Sequence, residues 1–331
     1  MIDLDPDPCP PAAGDPYRLR LDDPERLALA ALVRRLAATP PALLDDAGWL
    51  AEARRLGCHL PARVLEVLRR YRHDCGPGGT LLLAGLPVDQ AALPATPLAA
   101  GSVERAASAP ATLAMLVGLQ LGEVVAFRQE KSGALVQNVV PVPGLERSQS
   151  NAGSVPLAFH TENAFHAHRP DLVGLLCLRG DHAGTARTLV ASVRHALPLL
   201  GPAERAVLGQ ERFETAAPPS FAVAGGSRPH AVLRGAPDDP DLLVDLAATR
   251  PLDAVAGVAL AALEAALTRA ATALVLRPGQ LAFLDNRVVV HGRGRFTPRY
   301  DGQDRWLHRV YVQLDHRRSR ACRPGDGQVL E

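Results

Sequence analysis

The residue types best equipped for chemistry gather at Phe159-His160-Thr161-Glu162-Asn163. A second group follows at Asp285-Asn286-Arg287-Val288-Val289-Val290-His291, with Arg305 beyond it. His160, Glu162 and His291 together can present two imidazoles and one carboxylate to a metal ion. Such a face suits Fe(II) and leaves positions open for a bidentate 2-oxo acid and for O₂. A structural zinc ion would ordinarily take a fourth protein ligand. Arg305 offers a planar, two-toothed guanidinium for the far carboxylate of 2-oxoglutarate, and Thr188 offers the same co-substrate a hydroxyl. The expected chemistry is that of a non-haem iron oxygenase: 2-oxoglutarate is split to succinate and CO₂ while a hydroxyl enters an unactivated C–H bond.

Eleven histidines in a chain that is 21% charged make a single His-x-acid triplet unsurprising. Conjunction and placement give this one weight. Residues two apart on an extended segment point to the same side, so His160 and Glu162 can address one ion. His291 ends an apolar, strand-like run from Leu281 to Val290 entered through a Pro278-Gly279 turn. Arg305 opens a further strand, Trp306 to Val312, which antiparallel pairing would bring back beside His291. A surface ion pair is the ordinary fate of an arginine, and only its place after His291 lifts Arg305 above that.

Composition excludes several other roles. Net charge is +1 with no basic block, and aromatics are 4%, which argues against nucleic acid or a membrane surface as partner. Lys131 is the single lysine among 36 basic residues, a bias that carries no functional reading. Five cysteines, with no CxxC pair, argue against a disulfide framework or a cysteine zinc site. The N-terminus lacks the basic-then-apolar order of a secretory signal, and no apolar run reaches the ~18 residues of a membrane span. A soluble, cytoplasmic protein is expected.

The elements that must position these residues can be read in outline. Residues 1–16 form a loose, Pro- and Asp-rich segment, and 17–331 a single oxygenase domain, helix-rich over 17–125 and jelly-roll over 126–320. Helical spacing runs from Pro24 to Arg72; further helices are expected over 103–121, 192–208 and 252–273. Strands are expected at 80–86, 134–140, 171–178, 188–193 and 221–224, and strand follows strand from Ala273 to Leu314. The fold class is α+β, mainly β: a double-stranded β-helix (jelly-roll, cupin-like) core with a helical N-terminal region and helical insertions. The metal is expected at one end of the roll, between its sheets.

The run from Phe159 to His166, followed by Arg169-Pro170-Asp171 and Leu175-Leu176-Cys177-Leu178-Arg179, resembles the clavaminate-synthase-like family of Fe(II)/2-oxoglutarate oxygenases. Gly85-Leu86-Pro87-Val88-Asp89, Asp245-Leu246-Ala247-Ala248-Thr249 and Phe296-Thr297-Pro298-Arg299-Tyr300 extend the likeness over most of the chain. Within the family the pattern is most similar to asparagine-hydroxylating members, with arginine and lysine hydroxylases as cousins. The resemblance implies hydroxylation, usually at C3, of a free L-α-amino acid destined for a nonribosomal peptide. It implies that Arg309 pairs with the substrate α-carboxylate, assisted by Ser150, and that Gln129 or Glu130, with Glu162, receives the α-ammonium. Asn151 and Asp245 fall where the side-chain amide is read.

Leu243 stands where the arginine hydroxylases carry the first of two aspartates, which counts against arginine. L-Asparagine is therefore the expected substrate, with L-lysine, L-citrulline, L-arginine or a carrier-tethered amino acid as alternatives. A cupin-like metal-binding protein without oxygenase activity is the reading from another class; it leaves Arg305 and Thr188 without a purpose. Residues 217–241, rich in Pro and Gly, are expected to include a lid.

Overall fold

The computed structural model describes residues 15–218, 221 and 228–331. The segment expected to be loose lies outside them except for Asp15 and Pro16. The helical spacing over Pro24–Arg72 resolves into three helices, Asp23–Ala37, Ala47–Gly57 and Ala62–His73. Pro40, Pro41 and Pro61 divide them, because proline lacks the amide that would continue a helical ladder. Asp22 and Asp46 cap the first two through their carboxylates. The helix Ala109–Leu121 is buried on nearly every side. Apolar all round, it suits a position between layers, and it packs on both the N-terminal helices and the strand Trp306–Gln313.

Two sheets face each other. The larger has nine strands, with Leu172–Arg179 and Trp306–Gln313 at its centre, and it also recruits Arg18–Arg20 and Thr80–Ala84 from the helix-rich part of the chain. The smaller has four strands in the order Thr272–Leu274, Thr188–Ser192, Val289–Arg293, Leu157–His160. This is the expected double-sheet roll with helices around it.

Several local expectations change. Val103–Glu104 is a short strand paired with Val136–Val139, so the helix starts only at Ala109. The 192–208 helix is two short ones, Val193–Ala196 and Pro202–Leu208, interrupted around Pro198 and Gly201. The 252–273 helix spans Ala254–Ala270. Of the 221–224 strand, all but Phe221 lies outside the described residues.

The Leu281–Val290 run is two strands in different sheets. Leu281–Asp285 belongs to the large sheet and Val289–Arg293 to the small one, so the chain crosses the roll at Asn286-Arg287-Val288. His291 lies mid-strand. The Trp306 strand does not pair beside it; it pairs with Leu172–Arg179 in the opposite sheet. Arg305 and Arg309 therefore reach His291 across the roll rather than along a sheet.

Strand alternation gives Trp306–Gln313 two faces. Leu307 and Arg309 look into the space between the sheets, while Trp306 and His308 look back toward the helical layer. His308 is fully buried, 3.8 Å from Glu104, and neither ring nitrogen has a hydrogen-bond partner among the described residues. Burial pushes its pKa down to about 3, below the ordinary histidine value near 6.5. The unfolded chain thus takes up a proton before the folded one does. Stability should be flat above about pH 7 and fall, at about 1.4 kcal/mol per pH unit for this group, as pH drops from about 6.5 toward 3. His308→Leu is expected to remove that contribution, measured as a shallower decline of the urea midpoint between about pH 7 and pH 4.

Candidate metal and co-substrate site

His160 and His291 are direct cross-strand partners in the small sheet, with ring centroids 4.4 Å apart. A register shift follows between His291 and Arg293. Gly292 sits in that shift, where a Cβ would meet the Leu157 carbonyl at 2.6 Å. A side chain there would force apart the two strands that hold the imidazoles. Just past the end of the Leu157–His160 strand, Glu162 turns into the same space and places Oε2 3.3 Å from His291 Nε2. Asn286, in the chain crossing, fixes this turn. Its Oδ1 accepts from the Glu162 amide at 2.6 Å, and its Nδ2 donates to the carbonyls of Glu162 (3.0 Å) and Pro170 (2.9 Å).

The ligand atoms of His160, Glu162 and His291 lie within 4.8 Å of one another. His160 Nδ1 donates to the Ala158 carbonyl at 2.9 Å, which leaves its Nε2 with a free lone pair. Glu162 Oε2 is buried without a hydrogen-bond partner among the described residues. A buried carboxylate oxygen in that condition is costly unless a cation satisfies it. The donor set and the orphaned oxygen both fit a divalent metal. Burial favours the protonated acid, but Arg309, His291 and His160 outweigh it and hold Glu162 ionised, well below the usual carboxylate range.

The large sheet supplies the rest. Arg309 Nη1 donates to Glu162 Oε1 at 3.0 Å, and Arg309 also bonds to Glu130 and Gln137. Tyr311, two residues along the same face, donates to Glu162 Oε1 (2.9 Å) and to Glu130 (3.0 Å). Deeper in, Arg305 Nη2 reaches Thr188 Oγ1 at 3.4 Å. Arg305 is buried with no carboxylate in ion-pair range among the described residues. Arg293, likewise buried, has its pKa pushed down to about 10 by burial and then by Arg305. Arg305, a buried cation without an acid and with a hydroxyl beside it, describes a site built to receive an anion.

One cavity is lined by His160, Glu162, His291, Gly292, Arg293, Thr188, Arg305, Arg309 and Glu130, and by Gln129, Ser150, Asn151, Asp245 and Phe221, whereas Asn286, Gln137 and Tyr311 stand behind its wall. Every sequence-predicted site residue therefore reaches a single space. Asp245 comes close through the backbone, in an isolated bridge with His160. Its Oδ1 accepts the amides of Ala247 and Ala248, leaving Oδ2 for a ligand. Ser150 Oγ is engaged with Ser148 at 2.8 Å. Gln129 is exposed at the rim. Of the 217–241 segment, Ala217, Pro218 and Phe221 line the cavity, whereas Leu233–Ala236 and Asp239–Leu242 form a hairpin away from it; residues 219–220 and 222–227 lie outside the described set.

Sequence reasoning missed Asn286, Tyr311, Gln137, Gly292 and Arg293. Tyr311 was reachable, since alternation from Arg309 puts it on the same face. Gln137 was not, because its place opposite Arg309 depends on strand register.

Residues 107–311 match the family model described as taurine catabolism dioxygenase TauD, TfdA family. The chain belongs to the TauD/TfdA family. It is 49% identical to L-asparagine oxygenase of Streptomyces coelicolor over 95% of each chain. It is also 37% identical to clavaminate synthase 2 of Streptomyces clavuligerus over 88% of this chain and 91% of that one, and 33% identical to L-lysine 3-hydroxylase of Catenulispora acidiphila over 91% and 86%.

The crystal structure of asparagine oxygenase with Fe(II), 2S,3S-3-hydroxyasparagine and succinate superposes with a TM-score of 0.92 at 49% identity, covering 95% of this chain and 99% of that one. The non-heme iron oxygenase OrfP in complex with Fe and α-ketoglutaric acid gives 0.86 at 31% identity, covering 95% and 100%. As a TauD/TfdA member of this kind the chain is a 2-oxoglutarate-dependent dioxygenase that uses Fe(II). The four described cysteines are free, and among the described residues no helix is long and apolar enough to cross a membrane.

The Asn286 anchor yields a direct expectation. Asn286→Ala removes three hydrogen bonds from the backbone around Glu162, and Fe(II) affinity should fall about 10- to 100-fold, as for other groups that orient a metal ligand. Anaerobic titration of the apoprotein with Fe(II) measures it; unchanged affinity would show that the turn holds its shape unaided.

Proposed function

We propose that this enzyme hydroxylates a free polar L-α-amino acid, L-asparagine foremost, at C3, with 2-oxoglutarate converted to succinate and CO₂. One observation carries the reading: the three candidate metal ligands, the acid-free Arg305 and the Arg309–Glu130–Glu162 cluster converge on one cavity, in a chain 49% identical to L-asparagine oxygenase across nearly its whole length. Residues 17–331 would work as one oxygenase domain, since helices and both sheets share a continuous apolar core. A cytoplasmic location and a role in supplying nonribosomal peptides belong to the same proposal. They rest on the likeness to free-amino-acid hydroxylases.

His160, Glu162 and His291 would hold Fe(II), which when bound supplies the oxidising power for the C–H step. The remaining work is done by the protein. Arg305 and Thr188 receive the far carboxylate of 2-oxoglutarate, so that its other end is presented to the metal face. Arg309 receives the substrate α-carboxylate, with Ser150 beside it; Glu130, with Gln129 at the rim and Glu162, receives the ammonium. In the substrate-free protein these opposite charges satisfy one another, and a zwitterion can replace each partner with its like. Asn151 and Asp245 sit where the side chain ends, and the free Asp245 Oδ2 can accept from an amide nitrogen.

Incubation with L-asparagine, 2-oxoglutarate and Fe(II) should give a product heavier by one oxygen and one succinate per turnover. Strong turnover of lysine or citrulline with none of asparagine would transfer the assignment to the longer amino acid. Arg305→Ala should raise KM for 2-oxoglutarate by at least about tenfold while changing that for the amino acid much less, and Arg309→Ala should do the reverse. The opposite pattern in steady-state assays would exchange their roles.

A further inference from the structure

The segment 140–156, between the strands Val136–Val139 and Leu157–His160, has no regular structure, yet it carries Ser150 and Asn151 over the cavity. Long connections of this kind are functional more often than idle. It folds partly on itself: Val142 bonds to Ala152 (3.0 Å) and Gly153 to the Ser150 carbonyl (3.2 Å). Tyr300 and the Phe296 amide hold its margins, through Glu146 at 2.8 Å and Ser154 at 3.1 Å.

Beneath its centre lies Arg293. Nη1 donates to the Ser150 carbonyl at 2.9 Å and Nη2 to the Val155 carbonyl at 3.0 Å. The guanidinium therefore spans both arms of the segment that bears the amide-facing residues. The fit is close. A Cβ at Gly153 would stand 2.1 Å from the Ser148 carbonyl and 3.0 Å from Arg293 Nη2. At its other end Arg293 belongs to the metal-ligand strand, two residues beyond His291 and directly across from Thr188. It also shares Phe296 with Arg305, each guanidinium carbon 5.9 Å from that ring. Both terminal nitrogens of this buried guanidinium are committed to backbone carbonyls and fix them, while Nε has no hydrogen-bond partner among the described residues.

We infer that Arg293 is a positioning residue for amino-acid recognition: it sets the 140–156 segment on the metal-ligand strand and so places Ser150 and Asn151, without itself binding 2-oxoglutarate. This rests on the function proposed above. The test separates the two by adding a readout that needs no turnover, tryptic cleavage after the exposed Arg147 of the native protein.

Arg293→Met keeps the buried stem and removes both donors. KM for the amino acid should rise about tenfold or more, with KM for 2-oxoglutarate within about twofold, and succinate formed per hydroxylated product should increase. Cleavage after Arg147 should accelerate about tenfold at a temperature well below unfolding. Arg293→Lys, able to reach one carbonyl, should fall between. If Arg293→Met does not fold, Arg293→Lys and Arg293→Gln decide the question by the same KM split and Arg147 cleavage.

A rise confined to KM for 2-oxoglutarate would overturn the inference and make Arg293 a co-substrate ligand. Unchanged Arg147 cleavage in folded variants would overturn it as well. If the wild-type enzyme fails to turn over any tested amino acid, the function proposed above falls, and cleavage after Arg147 still judges Arg293.

Discussion

Glu162 ties the two sheets together. One carboxylate oxygen accepts from Arg309 and Tyr311 of the large sheet, while the other faces His291 of the small one. Removing a single partner from such a buried set typically costs about 3–5 kcal/mol, because it leaves charge stranded. The acid is thus constrained from three sides at once, by Asn286 through its backbone and by each sheet through its carboxylate. Its position is a property of the assembled roll rather than of the loop that carries it.

The same logic extends outward. Crossing between sheets at Asn286-Arg287-Val288 lets one short stretch of chain anchor Glu162 and then deliver His291. The large sheet contributes Arg305, Arg309, Tyr311 and the acceptor Gln137 to the centre, the small sheet the two imidazoles, Thr188 and Arg293. Both sheets bring positive charge, and Glu162 and Glu130, from the connecting segments, offset it.

How much of this was legible follows from what each signal encodes. His160 and Glu162 could be paired because extended chain puts i and i+2 on one side. Arg305 was expected near His291 because its strand would lie beside that of His291; the strand lies instead in the opposite sheet, and Arg305 reaches Thr188 across the roll. Leu281–Val290 looked like one strand because both halves are apolar, and apolarity does not say which sheet a strand joins. The Asp285-Asn286-Arg287 step was the available clue, since three polar residues interrupt the run. Apolar spacing marks Pro24–Arg72 as helical, and Pro40, Pro41 and Pro61 are the signal that divides it into three. Arg293 stayed hidden among many arginines, because a role played through backbone carbonyls leaves no mark on the residues it touches.

The backbone bridge between His160 and Asp245 has a geometric corollary. Under the proposed function, the residue that would recognise the far tip of the substrate is locked, by one rung of peptide pairing, to one that would hold the metal. On that reading the cavity would act as a ruler whose two marks are inscribed on adjacent chain. A longer side chain held at both marks would have to buckle, and buckling would present a different carbon for hydroxylation.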